Sequence, residues 1–320
     1  MNERLLDPAR GERPPILVVV GPTASGKSSL AMGLAEELGG EILSADSMQV
    51  YRGMDIGTAK ATAADRARVP HHLLDIVNPD EPFNVATFKS LADEALADLF
   101  ARGKVAIVAG GTGLYVKVLI HGIFPAPQVD AALRERFQRE SEVYGAEYLH
   151  ARLTLVDPAS AERIAVTDLV RIVRALEVYE QTGIPLSEHQ QAHSFHGKDY
   201  AALHLGIDFP RETLYQRVEA RVDMMMAAGL QDEVRGLLAR GYTRELKPMQ
   251  ALGYKQLCEH LAGESTLEEA VRRIKRDTKH YAKRQLTWFK SDPVKWVAPG
   301  GLTPELLGVC RAFLERRENS

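Results

Sequence analysis

The residues best suited to do chemistry lie near the N-terminus, in a loop that links two segments of different character. The loop consists of Gly21, Pro22, Thr23, Ala24, Ser25, Gly26, Lys27 and Ser28, and it matches the pattern G-x-x-x-x-G-K-[ST] at every specified position. An apolar, mostly β-branched run over 16–20 precedes it, and an Ala-rich and Leu-rich run to about residue 38 follows it. This order predicts a buried strand, a phosphate-binding turn and a helix.

In such a turn the backbone N–H groups and the helix N-terminus point into one concavity that favours anions. Lys27 adds a mobile positive charge, and the hydroxyl of Ser28 can ligate Mg²⁺. The sequence therefore predicts a site for a di- or triphosphate, with Mg²⁺ as the cofactor. Because many nucleotide-binding and ATP-binding proteins share this pattern, the loop by itself does not identify the phosphate compound.

Two further candidates follow strands that we predict over 41–45 and 105–109. Asp46 comes directly after the first strand, and Thr112 lies in the glycine-rich turn after the second. Because the carboxyl ends of parallel strands meet at the ligand crevice, we expect both side chains beside the phosphate loop. Asp46 could act there as a general base or as an outer-sphere partner of Mg²⁺, although an Asx turn or helix cap explains it equally well. Thr112 could donate a hydrogen bond to a phosphate oxygen.

Two arginines in the second half of the chain are a weaker signal. Arg217 and Arg221 stand four residues apart in a helix that we predict to begin at Pro210. Both guanidinium groups can therefore emerge on one face and bind phosphate oxygens. Pairing with Glu219 and other local acids is an equally good account.

The most unusual local composition lies between Glu269 and Lys290. This stretch holds eight lysines and arginines against two acids, Glu269 and Asp277. Apolar residues at helix-face spacing are Val271, Ile274, Tyr281 and Trp288. The pattern predicts a helix that docks by one face and presents basic side chains, including Lys279 and Lys283, outward. Nucleic acid is the natural polyanionic partner of such a surface, and a merely solvated helix is the weaker alternative because so few acids offset the bases.

Composition limits the class of protein. The chain has 320 residues and a net charge of −3, which predicts about two globular domains and no global attraction for a polyanion. No apolar run reaches membrane-spanning length and the N-terminal segment lacks an apolar signal region, so we expect a cytoplasmic protein without a membrane partner. Cys258 and Cys310 lack metal-ligand spacing, which argues against a structural zinc site and against a disulfide framework.

The order of predicted elements indicates an α/β fold, with a P-loop NTPase-like parallel sheet core and an α-helical insertion domain. Strand and helix signals alternate over 1–125, and a Gly- and Pro-containing linker then leads into charge-rich helical sequence. The sheet is expected to resume near residue 203. We predict the first part of the core over 1–125, the insertion over 126–200, and the second part of the core, with basic C-terminal helices, over 201–320.

Six motifs occur in order along nearly the whole chain. They are GPTASGKS at 21–28, SADSMQVYRGMDIGTAK at 44–60, PHHLLD at 70–75, GGTGLY at 110–115, GYKQ at 253–256 and YAKRQLTWF at 281–289. Together they resemble the bacterial tRNA dimethylallyltransferases, also called tRNA isopentenyltransferases. The resemblance implies transfer of a dimethylallyl group from dimethylallyl diphosphate to N6 of the adenosine 3′-adjacent to the anticodon, with Mg²⁺ and release of diphosphate. It also implies a monomer that binds the anticodon stem-loop of tRNA through the insertion and the basic helix.

The resemblance also assigns roles to matching residues. Catalytic roles fall on Lys27, Asp46, Thr112, Arg217 and Arg221. The lysine and one of the arginines would neutralise the leaving diphosphate, the aspartate would accept the N6 proton, and the threonine would help to bind the diphosphate and shape the adenosine pocket. Residues 21–28 would hold the diphosphate, with Ser28 at the metal, and the transfer itself needs no ATP.

A larger set of residues is predicted to face tRNA. The set comprises Asp46, Ser47, Met48, Gln49, Thr112, Arg134, Thr167, Asp168, Leu169, Val170, Arg171, Gln250, Gly253, Tyr254, Lys255, Lys279 and Lys283. A break in the helical pattern at Gly253 precedes Tyr254 and Lys255, which could stack on or contact a nucleotide. The polar pair at 167 and 168 varies within the family, so Arg171 is the clearer match in that segment.

Three other functions share part of this pattern. An adenylate isopentenyltransferase would prenylate free nucleotides in a similar pocket, and a P-loop small-molecule kinase would need only the phosphate loop and a small acceptor. A non-enzymatic RNA-binding module would explain the basic stretch but leaves Lys27, Asp46 and Thr112 without a common purpose. The basic helix and the helical insertion favour an RNA substrate over these alternatives.

Overall fold

The chain folds into two compact units. The computed structural model describes residues 13–124, 127, 130–193, 199–290 and 293–315. The sheet unit comprises residues 1–120 and 199–320, and the insertion unit comprises residues 121–198. The boundary follows hydrogen bonds, because the N–H of Asp199 donates to the carbonyl of Ile120 and the hydroxyl of Tyr200 donates to Asp93. Residues 199 and 200 therefore belong with the sheet.

The described part of the sheet unit contains a six-stranded parallel sheet in the order β3-β2-β4-β1-β5-β6. The strands are β1 (Pro15–Val20), β2 (Glu41–Ser44), β3 (His71–His72), β4 (Ala106–Gly110), β5 (Ala201–Ile207) and β6 (Lys295–Val297). The predicted α/β class is confirmed, and the four longer strands lie within two residues of their predicted positions. β3 and β6 escape prediction because strands of two and three residues leave no periodic pattern.

Helices cover both faces of this sheet. The α-helices among the described residues are α1 (Lys27–Leu38), α2 (Ala63–Arg68), α3 (Val85–Ala101), α4 (Gly113–His121), α5 (Ala131–Tyr144), α6 (Ala146–Val156), α7 (Pro158–Arg163), α8 (Leu169–Thr182), α9 (Leu186–His193), α10 (Arg211–Ala227), α11 (Leu230–Ala239), α12 (Tyr254–Leu261), α13 (Leu267–Phe289) and α14 (Pro304–Glu315). A 3₁₀ helix spans Lys247–Gln250. None of the described helices is long and apolar enough to cross a membrane.

Alternate side chains of β1 enter two separate hydrophobic layers. Ile16, Val18 and Val20 pack in the layer that contains residues of α3, α4 and α11 to α13, whereas Leu17 and Val19 pack in the layer with α1 and α14. A central parallel strand is apolar on both sides for this reason. With both faces covered, a ligand can approach the strands at their ends.

The insertion unit has a hydrophobic core of its own. Phe137 of α5 and Ile172 of α8 are fully buried in it. The buried carboxylate of Asp157 accepts the backbone N–H groups of Ser160 and Ser187, each at 2.9 Å, and so ties the start of α7 to α9. These contacts make the unit a compact helical subdomain.

Helix α13 docks through a face that differs in part from the predicted stripe. Its buried residues are Ala270, Ile274, Ala282, Gln285 and Phe289. Val271 and Tyr281 are partly buried. Trp288 lies at the margin of the docking face, because it is 43% exposed while its indole ring packs so close to Gly113 of α4 that an added Cβ there would overlap it. Each residue turns the helix by about 100°, so Phe289 takes the fully buried position next to it.

A glycine is required where β4 ends beside β2. A Cβ at Gly110 would overlap the backbone carbonyl of Ala45. We expect Gly110→Ala to lower the free energy of unfolding by about 2 kcal/mol, because a backbone group cannot yield as a flexible side chain can. Urea denaturation measures this change.

The control is Gly236→Ala within α11, where nothing lies within 4 Å of the added Cβ. Replacing a glycine inside a helix should raise the free energy of unfolding by up to about 1 kcal/mol. Equal effects at Gly110 and Gly236 would contradict the close approach of β2 and β4.

Candidate active site

The phosphate loop joins β1 to α1 at the carboxyl edge of the sheet, as predicted. Ala24 and Gly26 adopt the left-handed conformation, with φ values of 65° and 88°. Alternation of left- and right-handed residues turns successive backbone N–H groups into a concavity that binds anions. Gly26 immediately precedes α1, so the positive end of the helix dipole faces the same concavity.

Two cations and one carboxylate influence one another beside this loop. Burial, followed by the positive charge of Arg221, lowers the pKa of Lys27 to about 8, while the negative charge of Asp46 opposes the shift. Burial also lowers the pKa of Arg221, and its Nε has no hydrogen-bond partner among the described residues. An anion bound beside Lys27 and Arg221 would relieve their repulsion and satisfy this nitrogen. The crevice is electrostatically suited to a polyanion.

The two arginines of α10 differ in their surroundings. The Nε of Arg217 donates to the carbonyl of Ala24 at 2.8 Å, and its guanidinium lies 4.7 Å from the centre of the Phe209 ring. Arg217 therefore supports the backbone of the phosphate loop. Arg221, one turn further along α10, is the arginine whose charge acts on Lys27, so it is better placed to face a bound anion.

Asp46 and Thr112 lie where β2 and β4 end. The Oδ1 of Asp46 accepts the N–H of Met48 at 2.9 Å, which is the Asx turn considered above as an alternative. The Oγ1 of Thr112 accepts the N–H of Ser47 at 3.0 Å and so fixes the backbone beside Asp46. Because the turn engages one carboxylate oxygen, the Asx turn and a chemical role for the other oxygen are compatible.

Phenolic side chains also surround this carboxylate. Burial and then the negative charge of Asp46 raise the pKa of Tyr281. Burial raises the pKa of Tyr115 as well, with smaller contributions from Tyr51 and Asp46. Both phenols therefore stay protonated at neutral pH.

A cavity of about 180 Å³ lies against the phosphate loop. Its walls include Lys27, Ser28, Ser44, Asp46, Gln49, Lys60, Asp65, His71 and Gly110. The hydroxyl of Ser28 and the carboxylate of Asp46 are hard oxygen donors, which Mg²⁺ prefers. No group of three or more His, Cys, Asp or Glu in the described ranges is arranged as a metal site. This donor set fits a magnesium ion held mainly by substrate phosphates and water, as is common for Mg²⁺.

Sequence reasoning does not single out Gln285, although it lies in the last of the six motifs. Its side chain is only 6% exposed. The Oε1 accepts the N–H of Thr23 at 2.8 Å, and the Nε2 donates to the carbonyl of Gly111 at 2.9 Å. The sequence signal that could have identified Gln285 is a polar residue on the apolar face of a helix. A buried amide normally forms all of its hydrogen bonds, so such a residue is expected to have specific partners.

Glu233 is a second residue without a clear sequence signal. Its carboxylate accepts the backbone N–H groups of residues 55–57 and the hydroxyl of Tyr254. The Tyr254 ring is fully buried, and this burial raises the pKa of its hydroxyl. The prediction that Tyr254 contacts a nucleotide is therefore wrong, and the buried Gly253 does not face RNA either.

The basic residues of α13 are less free than their number suggests. The ion pairs join Lys279 to Glu219 and Lys275 to Asp223 across to α10, and Arg272 to Glu269 and Arg276 to Asp277 within α13. The expectation that few acids offset these bases is wrong, because the acids of α10 are distant in sequence. Lys283 is exposed and lines a cavity of about 390 Å³ between α10 and α13, so it is the clearest candidate of the two lysines for contact with RNA phosphate.

The other residues predicted to face tRNA differ in exposure. Thr167, Val170, Arg171, Gln250 and Lys255 are exposed, and Ser47, Met48, Gln49, Asp168 and Leu169 are partly exposed. Arg134 is exposed as well, although its Nε and one terminal nitrogen donate to the fully buried carboxylate of Glu177, at 2.9 and 3.1 Å. The guanidinium therefore neutralises a buried charge inside the insertion unit, and its contact with RNA stays a prediction.

Two models of known protein families match this chain. The family model described as IPP transferase matches residues 49–292, and the one described as isopentenyl transferase matches residues 14–74. A protein named tRNA dimethylallyltransferase from Geobacter metallireducens is 52% identical over 303 residues, which cover 94% of this chain and 98% of that protein. A protein named tRNA dimethylallyltransferase 1 from Trichlorobacter lovleyi is 53% identical over 287 residues, which cover 89% and 94%.

Solved structures show the same similarity. The tRNA isopentenylpyrophosphate transferase of Bacillus halodurans has a TM-score of 0.70 at 38% identity, covering 95% of this chain and 98% of that chain. A eukaryotic dimethylallyltransferase described as acting on tRNA has a TM-score of 0.75 at 27% identity, covering 95% and 79%. The chain therefore belongs to the IPP transferase family, the family of the tRNA dimethylallyltransferases.

Proposed function

We propose that the protein transfers a dimethylallyl group from dimethylallyl diphosphate to N6 of the adenosine 3′-adjacent to the anticodon in tRNA. Membership of the family supports tRNA prenylation. The observation that carries the finer proposal is the electrostatic coupling of Lys27, Arg221 and Asp46 beside the phosphate loop. One crevice thus offers an anion site and a carboxylate base, which are the two parts that this transfer needs.

The phosphate loop would stabilise the leaving group. Charge develops on the diphosphate as the allylic C–O bond breaks, and the loop N–H groups, Lys27 and Arg221 neutralise that charge. Because the charge is greater in the transition state than in the ester, these contacts favour the transition state over the bound donor. Arg217 keeps the loop in shape through its bond to Ala24.

Asp46 would serve the acceptor. Adenine N6 is a poor nucleophile because its lone pair is delocalised into the ring, so it benefits from a positioned base. As the new C–N bond forms, Asp46 accepts the N6 proton and the diphosphate departs with the electrons of the C–O bond. The bond from the Met48 N–H to Oδ1 restrains the carboxylate for this task.

Ser28 would hold Mg²⁺ together with phosphate oxygens of the donor. When bound, the ion supplies further neutralisation of the diphosphate. On the RNA side, the target base must leave the anticodon-loop stack to reach Asp46, as other base-modifying enzymes require. Exposed Arg171, Lys255 and Lys283 are the proposed RNA contacts. A monomeric state and a cytoplasmic location belong to the same proposal.

A labelling experiment tests the proposal against its two alternatives. Purified protein is mixed with Mg²⁺, unmodified tRNA and dimethylallyl diphosphate labelled in the prenyl group, and parallel tubes contain AMP or γ-labelled ATP. We expect label in tRNA from the prenyl donor alone. Label in AMP would favour an adenylate isopentenyltransferase, and transfer of phosphate from ATP would favour a kinase; either result would overturn the proposal.

Replacing the base should separate chemistry from binding. Asp46→Asn keeps an oxygen that can accept the Met48 N–H but removes the basic carboxylate. We expect single-turnover transfer to fall by about 100-fold or more, with tRNA affinity within a factor of about two, because general-base catalysis is typically worth about 10² to 10⁴ in rate. Quench-flow kinetics and filter binding measure the two quantities. Loss of binding with unchanged transfer from bound tRNA would sink the assignment of Asp46 as base.

The lowered pKa of Lys27 predicts a pH dependence of anion binding. Below pH 8 the free protein carries the ammonium form; above it, the lysine must take up a proton when a diphosphate binds. We therefore expect the affinity for inorganic diphosphate to weaken as pH rises through about 8. Calorimetry should compare the protein with Lys27→Met, since the titration of the diphosphate is common to both. A constant ratio of the two affinities from pH 6.5 to 9.5 would contradict the prediction.

Charge reversal at Lys283 should weaken tRNA binding in a salt-dependent way. We expect Lys283→Glu to raise the KM for tRNA several-fold at low salt and to reduce the slope of log affinity against log salt concentration by about one, as loss of one phosphate contact does. Lys295→Glu, an exposed lysine on β6, is the matched control. Equal slopes for Lys283→Glu, Lys295→Glu and the unchanged protein would remove Lys283 from the RNA surface.

A further inference from the structure

The side-chain amide of Gln285 connects two turns that come from different parts of the chain. Its oxygen accepts the N–H of Thr23 in the phosphate loop, at 2.8 Å, and its nitrogen donates to the carbonyl of Gly111 after β4, at 2.9 Å. An amide is the neutral group that can accept at one end and donate at the other. Both ends are satisfied at a residue that is 6% exposed, so breaking either bond leaves a buried polar group without its partner.

The space around this contact is matched to the glutamine. A Cβ at Gly111 would overlap the Nε2 of Gln285, so the glycine is needed for the amide to reach the backbone. Gln285 sits on the face of α13 that also buries Ala282 and Phe289, which holds the stem of the side chain in place. The contact is thus built from the turn, the helix and the loop together.

The bonds continue from Gln285 toward Asp46. Thr112 follows Gly111 directly, and its hydroxyl accepts the N–H of Ser47, the neighbour of Asp46, at 3.0 Å. The Thr112 N–H also donates to Ala45 at 3.3 Å. A short series of hydrogen bonds, joined by the Gly111–Thr112 peptide, therefore runs from the loop that would hold the diphosphate to the backbone on either side of Asp46.

We infer that Gln285 is a positioning residue that fixes the position of the phosphate loop relative to the end of β2. It thereby fixes the distance between the donor diphosphate and Asp46, the proposed general base. This inference rests on the proposed function. Gln285 acts through the Thr23 and Gly111 backbone and does not itself touch the reacting atoms. Transfer reactions are sensitive to this distance, because a misplacement of about 1 Å can cost about 100-fold in rate.

Gln285→Met tests the inference by removing the hydrogen bonds to Thr23 and Gly111, together with the contact to the Tyr281 side chain, with little change in side-chain length. We expect the rate of single-turnover transfer, at saturating tRNA and donor, to fall by about 10- to 100-fold. The affinity for tRNA should stay within a factor of about two. In hydrogen exchange, the amide of Thr23 should lose protection.

Gln256→Met is the matched control. Gln256 is also buried, its oxygen accepts the N–H of Gly253 at 3.0 Å, and its nitrogen donates to Asp277 at 3.0 Å. Asp277 lies about two helical turns of α13 away from Gln285, at about 12 Å along the axis. This variant loses the same number of hydrogen bonds, one of them to a carboxylate in place of a carbonyl, so it should lower the melting temperature at least as much without slowing transfer from bound tRNA.

Gln285→Glu provides a second, pH-dependent readout of the two hydrogen bonds, and the split between transfer rate and tRNA affinity distinguishes positioning from loss of stability. A protonated glutamate can accept from Thr23 and donate to Gly111 as glutamine does, whereas a charged one cannot donate. We expect the transfer rate of this variant, relative to the unchanged protein at the same pH, to rise as pH falls. If Gln285→Met fails to fold, the transfer rate of Gln285→Glu tests the inference in its place.

Two results would overturn the inference. One is an equal loss of transfer rate in Gln285→Met and Gln256→Met, and the other is a pH-independent rate ratio for Gln285→Glu. Failure of the proposed function itself looks different, because the unchanged protein would then transfer no prenyl group to tRNA. The exchange protection of the Thr23 amide would still report on the contact in that case.

Discussion

The parallel pairing of β1 with both β4 and β5 is the constraint on which the site depends. Val20, the last residue of β1, lies opposite Gly110 on one side and Gly206 on the other. The phosphate loop, the turn after β4 and the approach to α10 therefore leave the sheet at one edge. Gly110 in turn passes so close to Ala45 that no side chain fits between them, which draws the end of β2 to the same place.

Charge balance separates the site from the rest of the sheet unit. The fully buried charges of the sheet unit are matched: Lys60, in the wall of the cavity, donates to Asp55 and Asp75, each at 2.6 Å. Hydrogen bonds from Arg102 and His72 hold the pKa of Glu41 at about 2. Beside the phosphate loop, two partly buried cations, Lys27 and Arg221, act on the carboxylate of Asp46. A protein that balances its structural charges but leaves this excess positive charge is arranged to bind an anion there, since perturbed titration tends to mark functional sites.

Local chemistry explains how far the sequence predicts this protein. The phosphate loop was predictable because glycine, lysine and serine are each required at fixed spacing, and the long strands because burial on both faces imposes an apolar run. The balance of charge on α13 was not predictable from the sequence. The acids that pair with its lysines, Glu219 and Asp223, lie more than 50 residues earlier, and only packing of the helices brings them close. Gln285 and the burial of Tyr254 depend in the same way on tertiary contacts that no local pattern records.

The insertion unit begins and ends at adjoining points of the backbone, since the N–H of Asp199 donates to the carbonyl of Ile120 at 3.1 Å. The 78 residues of the insertion unit therefore connect α4 to β5 as one closed loop would. The entropy of closing a loop grows only with the logarithm of its length, so a subdomain with its own core adds little to the cost of forming the sheet. A short connection could therefore join the same two positions without changing the sheet.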